Sequence, residues 1–189
     1  MTIGELRKKV RELADKNKAK VLKGFFKTGP GQYGEGDIFL GIAVPVLRKI
    51  IKECHNMSIA DMLRLLRSPI HEERVLALFL LIGAYLHGDD KAKKKIYILY
   101  LKNTRYINNW DLVDLSSSNI VGHHLMNRDR KPLYSLATSC DLWKKRIAIL
   151  ATFTFIRRND FADTLKISQL LLSDKHDLIR KAVGWLDAA

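Results

Sequence analysis

The amino-acid sequence predicts an all-α fold, arranged as an α-solenoid of paired helices. Apolar residues recur three and four positions apart along nearly the whole chain, which is the spacing of one helix face. Only 4 prolines interrupt the 189 residues, so helices can form almost everywhere. We find no convincing alternating strand and no hairpin turn between two such segments.

A degenerate internal repeat supports the solenoid. Polar residues followed by arginine and then an apolar helix occur at Arg74, Arg146 and Arg180. The last two arginines are 34 positions apart and the first two are 72 apart, or two steps of 36, with the missing step at Trp110. Such a period is typical of stacked helix pairs. Trp110, Arg146 and the segment ending at Trp185 are therefore expected side by side on a concave basic face.

Local signals predict the individual elements. Pro45 suits the first turn of a helix, and Ser58 followed three residues later by Asp61 resembles a capping box with Asp in place of Glu. Residues 75–86 are apolar nearly all round, which predicts a buried helix. Residues 96–101 also favour a helix, with a strand as the alternative because of their β-branched content.

Charge and cysteine usage limit the functional class. The net charge of +13 and a pI near 9.8 favour a nucleic-acid partner, although membrane-surface and ordinary soluble proteins can be as basic. Cys54 and Cys140 have no metal-ligand spacing and are interpreted as reduced, buried thiols of a cytosolic protein. No apolar run reaches the length of a membrane span, and no signal core is present. We expect a cytoplasmic protein, associated with the nucleoid if bacterial.

Several motifs have a structural and a functional interpretation. Residues 29–34 match G-x-G-x-x-G, but a helix precedes them where a dinucleotide site needs a strand. They form either a plain connecting loop or a loop that carries Lys27, Gln32 and Tyr33 to a surface, with backbone amides free for phosphate. His123 and His124 are adjacent and cannot face the same way on a helix, so no metal site is expected.

The segment from Trp110 to Asp114 is the strongest functional signal. Four residues apart, these two side chains share one face of a helix. An indole beside a carboxylate on a positive surface suits a site that holds a polyanion and stabilises a cation within it. A core tryptophan with a capping aspartate is the alternative. Arg146 suits either a bidentate phosphate contact or a salt bridge between repeats, whereas Trp143 favours a core anchor at a helix start.

Four segments together resemble the DNA alkylation repair family of HEAT-like-repeat DNA glycosylases, the AlkD type. These segments are DIFLGIAVP at 37–45, WDLVD at 110–114, WKKRIAIL at 143–150 and IRKAVGW at 179–185. The resemblance implies a single HEAT-like domain over residues 1–189 that lacks the last helices of the family. It also implies hydrolysis of the N-glycosidic bond of positively charged alkylated purines, such as N3-alkyladenine and N7-alkylguanine, in duplex DNA.

The resemblance also assigns roles to particular residues. Trp110, Asp114 and Trp185 match the catalytic cleft of the family, where the carboxylate and the indoles stabilise an oxocarbenium-like transition state. Arg146 matches the arginine that holds the DNA backbone near the lesion. Ala43 stands where some members carry a glutamine that contacts the lesion.

The remaining expectations concern DNA contacts, partners and rival functions. Lys145, Lys27 and Gln32 complete the expected DNA-binding set around Arg146. The expected partner is duplex DNA containing alkylated bases, bound by a monomer without cofactor, metal or membrane. The alternative function is a non-catalytic HEAT-like nucleic-acid-binding module, and a weaker one is a protein-binding scaffold.

Overall fold

The computed structural model describes residues 1–54 and 57–187, and it confirms the all-α prediction. No strand occurs in this part of the chain, where the only extended pairing is an isolated parallel bridge between Ile38 and Ile70. A 3₁₀ turn spans Thr104–Tyr106, and a π-helical segment spans Ser118–Gly122. The α-helices in chain order are α1 (Ile3–Glu12), α2 (Lys16–Phe25), α3 (Val44–Ile51), α4 (Ile59–Leu66), α5 (His71–His87), α6 (Asp90–Lys102), α7 (Trp110–Ser117), α8 (His123–Leu125), α9 (Lys131–Ala137), α10 (Leu142–Ala151), α11 (Phe153–Ile156), α12 (Ala162–Leu171) and α13 (Asp177–Asp187).

The chain forms two compact units. The first consists of Met1–Ala84 with Tyr106–Asn109, and the second consists of Tyr85–Arg105 with the residues from Trp110 onward. The boundary between them falls within α5. The solenoid, its concave basic face and the single domain over residues 1–189 stay predictions.

Most of the local signals are confirmed. Ser58 is the N-cap of α4 and accepts a hydrogen bond from the backbone N–H of Asp61, and Pro45 lies in the first turn of α3. Residues 75–86 lie in α5, most of whose side chains are buried. Residues 96–101 lie in α6, so the strand alternative is wrong for this segment. The alternation that a strand needs is absent there, whereas Ile96 and Tyr100 follow helical spacing into the core.

The two cysteines, both predicted to be buried, differ in exposure. Cys54 is buried, as expected, but Cys140 is exposed, so its predicted burial is wrong. Cys140 lies in the short connection between α9 and α10, where connecting residues lie on the surface.

Within residues 1–54 and 57–187, none of the helices has both the length and the apolar character needed to cross a membrane.

The glycine-rich loop before α3 uses backbone amides in hydrogen bonds to its own residues. The N–H of Gly29 donates to Oε1 of Gln32 and the N–H of Gly31 donates to Glu35. The N–H of Gly34 donates to the carbonyl of Lys27. The expectation that these amides are free for phosphate is therefore wrong, because the turns of the loop consume them. The other part of that interpretation holds, since the side chains of Lys27 and Gln32 are both exposed.

In the second unit, α7 continues without a break through the π-helical segment into α8, and this rod packs against α10 and α11. The closest approach is at Gly122, which ends the π-helical segment. A Cβ on Gly122 would lie 2.2 Å from the carbonyl oxygen of Ala151 and 2.5 Å from Oγ1 of Thr154. That same Thr154 hydroxyl donates to the carbonyl of Ser118 at 2.7 Å. Only glycine allows this contact, which fixes α7 relative to α10.

Gly122→Ala should therefore destabilise the protein, by about 1–3 kcal/mol, because the added methyl group overpacks a backbone contact that cannot yield. Gly184→Ala is the matched control, since a Cβ on this helical glycine of α13 meets nothing within 4 Å. We expect the control to stabilise by about 0.4–1 kcal/mol. Urea unfolding of both variants checks the prediction, and equal stabilities would contradict it.

Candidate functional site

Helix α7 presents the two residues that the sequence singled out. Trp110 is its first residue, and Asp114 follows one turn later on the same face. Both side chains are partly accessible, with Asp114 25% exposed. The neighbouring Leu112 and Val113 are fully buried, so the helix is anchored in the core by one face while the other carries the carboxylate.

Arg146 of α10 holds this carboxylate in a two-pronged ion pair. Its Nε donates to Oδ1 of Asp114 at 2.7 Å, and its Nη2 donates to Oδ2 at 2.8 Å. Its Nη1 donates to the backbone carbonyl of Leu178 in α13. The Arg146 side chain is only 2% exposed. The salt-bridge interpretation of Arg146 is therefore confirmed, and one guanidinium ties α7, α10 and α13 together.

Trp185 lies on α13 beside the same guanidinium. The Cζ atom of Arg146 is 5.9 Å from the centre of the Trp185 ring, within reach of a cation–π interaction. The repeat phase correctly predicted this proximity of residues that are far apart in sequence. The Trp185 side chain is 60% exposed. Such exposure is unusual for a large aromatic side chain, and it shows that Trp185 does not belong to the hydrophobic core.

The electrostatics of Asp114 follow from these surroundings. Burial raises the pKa of the Asp114 carboxyl above the ordinary value of an aspartate, the Arg146 guanidinium offsets part of that increase, and Asp111 adds to it. The result is a carboxylate whose geometry is fixed by a fork of two donors. With 25% of its surface exposed, the Asp114 side chain remains accessible to a ligand.

The first unit contains a related ion pair that serves as an internal comparison. Arg74 occupies the position equivalent to Arg146 in the repeat, and its Nη2 lies 2.6 Å from Oδ1 of Asp37. Both of these side chains are 5% exposed, and His71 contacts the other carboxylate oxygen at 3.1 Å. The pair in the first unit is thus closed to solvent, whereas Asp114 keeps an accessible side.

The other predicted residues of α10 have structural partners. Trp143 is 9% exposed and packs into the core, which confirms its interpretation as an anchor at a helix start. Lys145 forms an ion pair with Asp174, with 2.7 Å between its Nζ and Oδ2, and it is 26% exposed. Its predicted contact with DNA stays a prediction.

Lys27 and Gln32 belong to the first unit. Lys27 has a left-handed backbone conformation, with φ of 54°, and both side chains are exposed. Oε1 of Gln32 accepts the hydrogen bond from Gly29, which leaves its NH₂ group for other partners. Their predicted role in DNA binding stays a prediction.

The sequence did not reveal two supports of the site. The carbonyl of Leu178 carries no side-chain signal, so its contact with Arg146 could not be inferred. Tyr100 is fully buried behind α7, and its hydroxyl is 2.8 Å from Oγ of Ser116. Burial raises the pKa of Tyr100 well above its usual range. Within residues 1–54 and 57–187, no group of three His, Cys, Asp or Glu side chains could hold a metal ion.

Comparison with known proteins shows the family of the chain. The chain matches the protein-family model described as DNA alkylation repair enzyme over residues 6–186. It belongs to the DNA alkylation repair family. The protein is thus an enzyme of DNA repair, and DNA is its substrate. The match covers every residue of the site on α7, α10 and α13.

A solved structure has a similar fold. It is described as a predicted DNA alkylation repair enzyme from Enterococcus faecalis, and it superimposes with a TM-score of 0.66 at 14% sequence identity. The alignment covers 92% of this chain and 81% of that chain. At this identity the likeness concerns the fold alone. No curated protein matches the chain significantly.

Proposed function

We propose that this member of the DNA alkylation repair family is a DNA glycosylase that hydrolyses the N-glycosidic bond of positively charged alkylated purines in duplex DNA. The observation that carries the proposal is the accessible carboxylate of Asp114, fixed by Arg146 beside the exposed indole of Trp185. A rigid anion next to aromatic faces is suited to stabilising a sugar that becomes positively charged.

The reaction needs little from the protein. In N7-methylguanine the base already carries a positive charge, so the C1′–N9 bond breaks with its electron pair retained by a neutral leaving group. No acid has to protonate the base. Positive charge develops on the deoxyribose, as in glycoside hydrolysis. Water then adds to C1′ and loses a proton, which gives an abasic site and free 7-methylguanine.

Asp114 is the group that we assign to the developing charge. As a carboxylate it lowers the energy of the cationic sugar more than that of the ground state, which is the requirement for catalysis. Because the side chain is 25% exposed, it can also orient the attacking water. Trp110 and Trp185 would hold the sugar between aromatic faces.

Arg146 acts, in this proposal, mainly as a positioning residue. Three of its nitrogens are engaged, by Asp114 and by the Leu178 carbonyl, and the side chain is buried. These contacts fix the direction in which Asp114 points. The contact between Arg146 and the DNA backbone that the resemblance implies remains a proposal, together with those of Lys145, Lys27 and Gln32.

Trp185→Ala tests the aromatic contribution. We expect kcat/KM for N7-methylguanine to fall roughly 2- to 30-fold, which corresponds to a lost cation–π interaction of about 0.5–2 kcal/mol. The unfolding free energy should change by no more than about 0.5 kcal/mol, because the side chain is 60% exposed. Leu172→Ala is the control, since Leu172 lies at the end of α12 and its side chain is 68% exposed. Equal excision by both variants would remove Trp185 from the site.

Excision should also depend on pH through Asp114. Only the ionised carboxylate stabilises a cation, so activity is present above the pKa of Asp114 and is lost as the pH falls through it. Burial raises this pKa, so the loss should begin at a higher pH than an ordinary aspartate would give. Asp111→Asn removes a nearby negative charge and should move the midpoint to lower pH. Single-turnover rates against pH check this, and a profile without an acidic limb would contradict it.

Incubation of the protein with duplex DNA containing N7-methylguanine tests the proposed function. We expect release of 7-methylguanine with an equal amount of abasic sites. The non-catalytic nucleic-acid-binding module predicts binding to the same duplex without release of base. In either case affinity should fall steeply with salt, because lysines and arginines displace counterions from DNA. Affinity without salt dependence would instead favour a protein-binding scaffold.

A further inference from the structure

A cavity of about 420 Å³ opens on the second unit, apart from the candidate active site. Its lining includes Tyr85, Lys93, His123 and Arg128, and it contains none of the residues placed in the catalytic site. His123 follows Asp114 by nine residues on the continuous rod from α7 to α8, which is more than two helical turns. The volume lies in the range of small-molecule sites, about 300–1,000 Å³.

The charges around this cavity favour an anion. Lys93 of α6 and Arg128 line its wall, and neither forms an ion pair with a carboxylate in the part of the chain that the structure describes. Asp90 is the one carboxylate that lines it. Burial and the positive charges of Arg158, Arg157 and Lys93 lower the pKa of the His123 imidazole, so cations outside the lining add to the positive potential. Arg128 and Lys93 have donors to offer.

Hydrogen bonds hold two side chains of the lining, Arg128 and Tyr85. Nη1 of Arg128 donates to the His124 carbonyl at 2.8 Å, and this fixes the guanidinium at the rim. The His124 ring stacks on Tyr97 with 4.1 Å between centroids, and its Nδ1 lies 3.4 Å from the hydroxyl of Tyr85. A guanidinium held in this way loses less conformational freedom when it binds a phosphate.

The rest of the lining suits the organic part of a ligand. The aromatic ring of Tyr85 and the aliphatic side chain of Leu86 give an apolar wall. Asn127 and Asp90 can accept hydrogen bonds from hydroxyl groups. The Asp90 carboxylate lies beside the two cations and weakens the binding of a bare phosphate dianion. A phosphate whose carrier offers hydroxyl groups can offset this by donating a hydrogen bond to Asp90.

We propose that this cavity is a second anion site, which binds a phosphate monoester carried on a sugar, with Lys93 and Arg128 as the phosphate ligands. Two sources of this group fit the chemistry, a free nucleotide and the terminal phosphate of a nucleic-acid strand. The site is independent of the proposed glycosylase reaction. It can be tested on the whole protein without reference to excision.

Calorimetry with deoxyguanosine 5′-monophosphate is the first test. The nucleotide should bind, and deoxyguanosine, which lacks the phosphate, should bind at least about tenfold more weakly, because charge-assisted hydrogen bonds are the strong polar contacts. The double variant K93Q/R128Q should lose the same factor, whereas Lys95→Gln, on the exposed face of α6, should bind as the wild type does. The His123 ring resonances should shift on binding. Absence of binding at millimolar nucleotide, or equal binding by K93Q/R128Q, would overturn the proposal.

A second comparison distinguishes the two sources of phosphate. A short single strand with a 5′-phosphate is measured against the same strand with a 5′-hydroxyl. A preference for the phosphorylated strand that depends on Lys93 and Arg128 assigns the site to strand ends. Equal binding of the two strands, with nucleotide binding retained, assigns it to free nucleotides. Unchanged thermal unfolding of K93Q/R128Q confirms that the variant is folded, as expected from two accessible side chains.

Discussion

Asp114→Asn should lower the single-turnover rate of N7-methylguanine excision by roughly 100- to 1,000-fold, the usual effect of removing one preorganised electrostatic contact to a transition state. The amide has nearly the same shape as the carboxylate but carries no charge, so it cannot stabilise a cationic sugar. Its oxygen can still accept one hydrogen bond from Arg146. Duplex affinity should therefore remain close to that of the wild type.

Asp111→Asn is the matched control for this variant. Asp111 lies on the same helix, in the turn before Asp114, and does not share the Arg146 fork. Its replacement should leave the rate at neutral pH within about threefold of the wild type, because both hydrogen bonds of the Arg146 fork to Asp114 remain. If Asp114→Asn excised the base as fast as Asp111→Asn, the proposed role of Asp114 would be wrong.

Arg146→Ala should strongly destabilise the protein. It removes the partner of Asp114 and the side-chain donor to the Leu178 carbonyl. Loss of one member of a buried ion pair costs about 3–5 kcal/mol. Because Asp114 is 25% exposed, we expect the lower end, about 3 kcal/mol, measured by urea unfolding. Lys144→Ala, on the same helix, should change the unfolding free energy by no more than about 0.5 kcal/mol.

Arg146→Gln separates positioning from a merely structural role. The guanidinium lowers the pKa of Asp114, so its removal should move the acidic limb of the excision profile to higher pH. Arg146→Lys keeps the positive charge without the fork, so it should restore most of the pH midpoint but less of the rate. A midpoint that does not move in Arg146→Gln would show that Arg146 only stabilises the fold.

Much of this architecture was predictable because helical spacing is a local property. The N-cap of α4 at Ser58 and the helix over residues 96–101 follow from neighbouring residues alone. The repeat period predicted that the segment ending at Trp185 lies near Arg146, and the Trp185 ring does lie beside its guanidinium. A salt bridge was one of the two interpretations of Arg146, and Asp114 is its partner.

Other features depend on contacts that the sequence does not encode locally. The exposure of Cys140 depends on how α9 and α10 are joined, and a small thiol gives no pattern of its own. The amides of residues 29–34 are used by carbonyls and side chains of the same loop, and such bonds depend on the turn conformation. The Leu178 carbonyl is a backbone group, so residue identity cannot mark it as a partner of Arg146.

The most direct test of the central claim compares two duplexes that differ only in the charge of one base. One contains N7-methylguanine, which is cationic, and the other contains 7-deaza-7-methylguanine, a neutral base of the same shape. If the protein stabilises the sugar cation and relies on the base as a good leaving group, it should release the first and leave the second intact, although it binds both. Release of both bases at comparable rates, or of neither, would contradict the proposed mechanism.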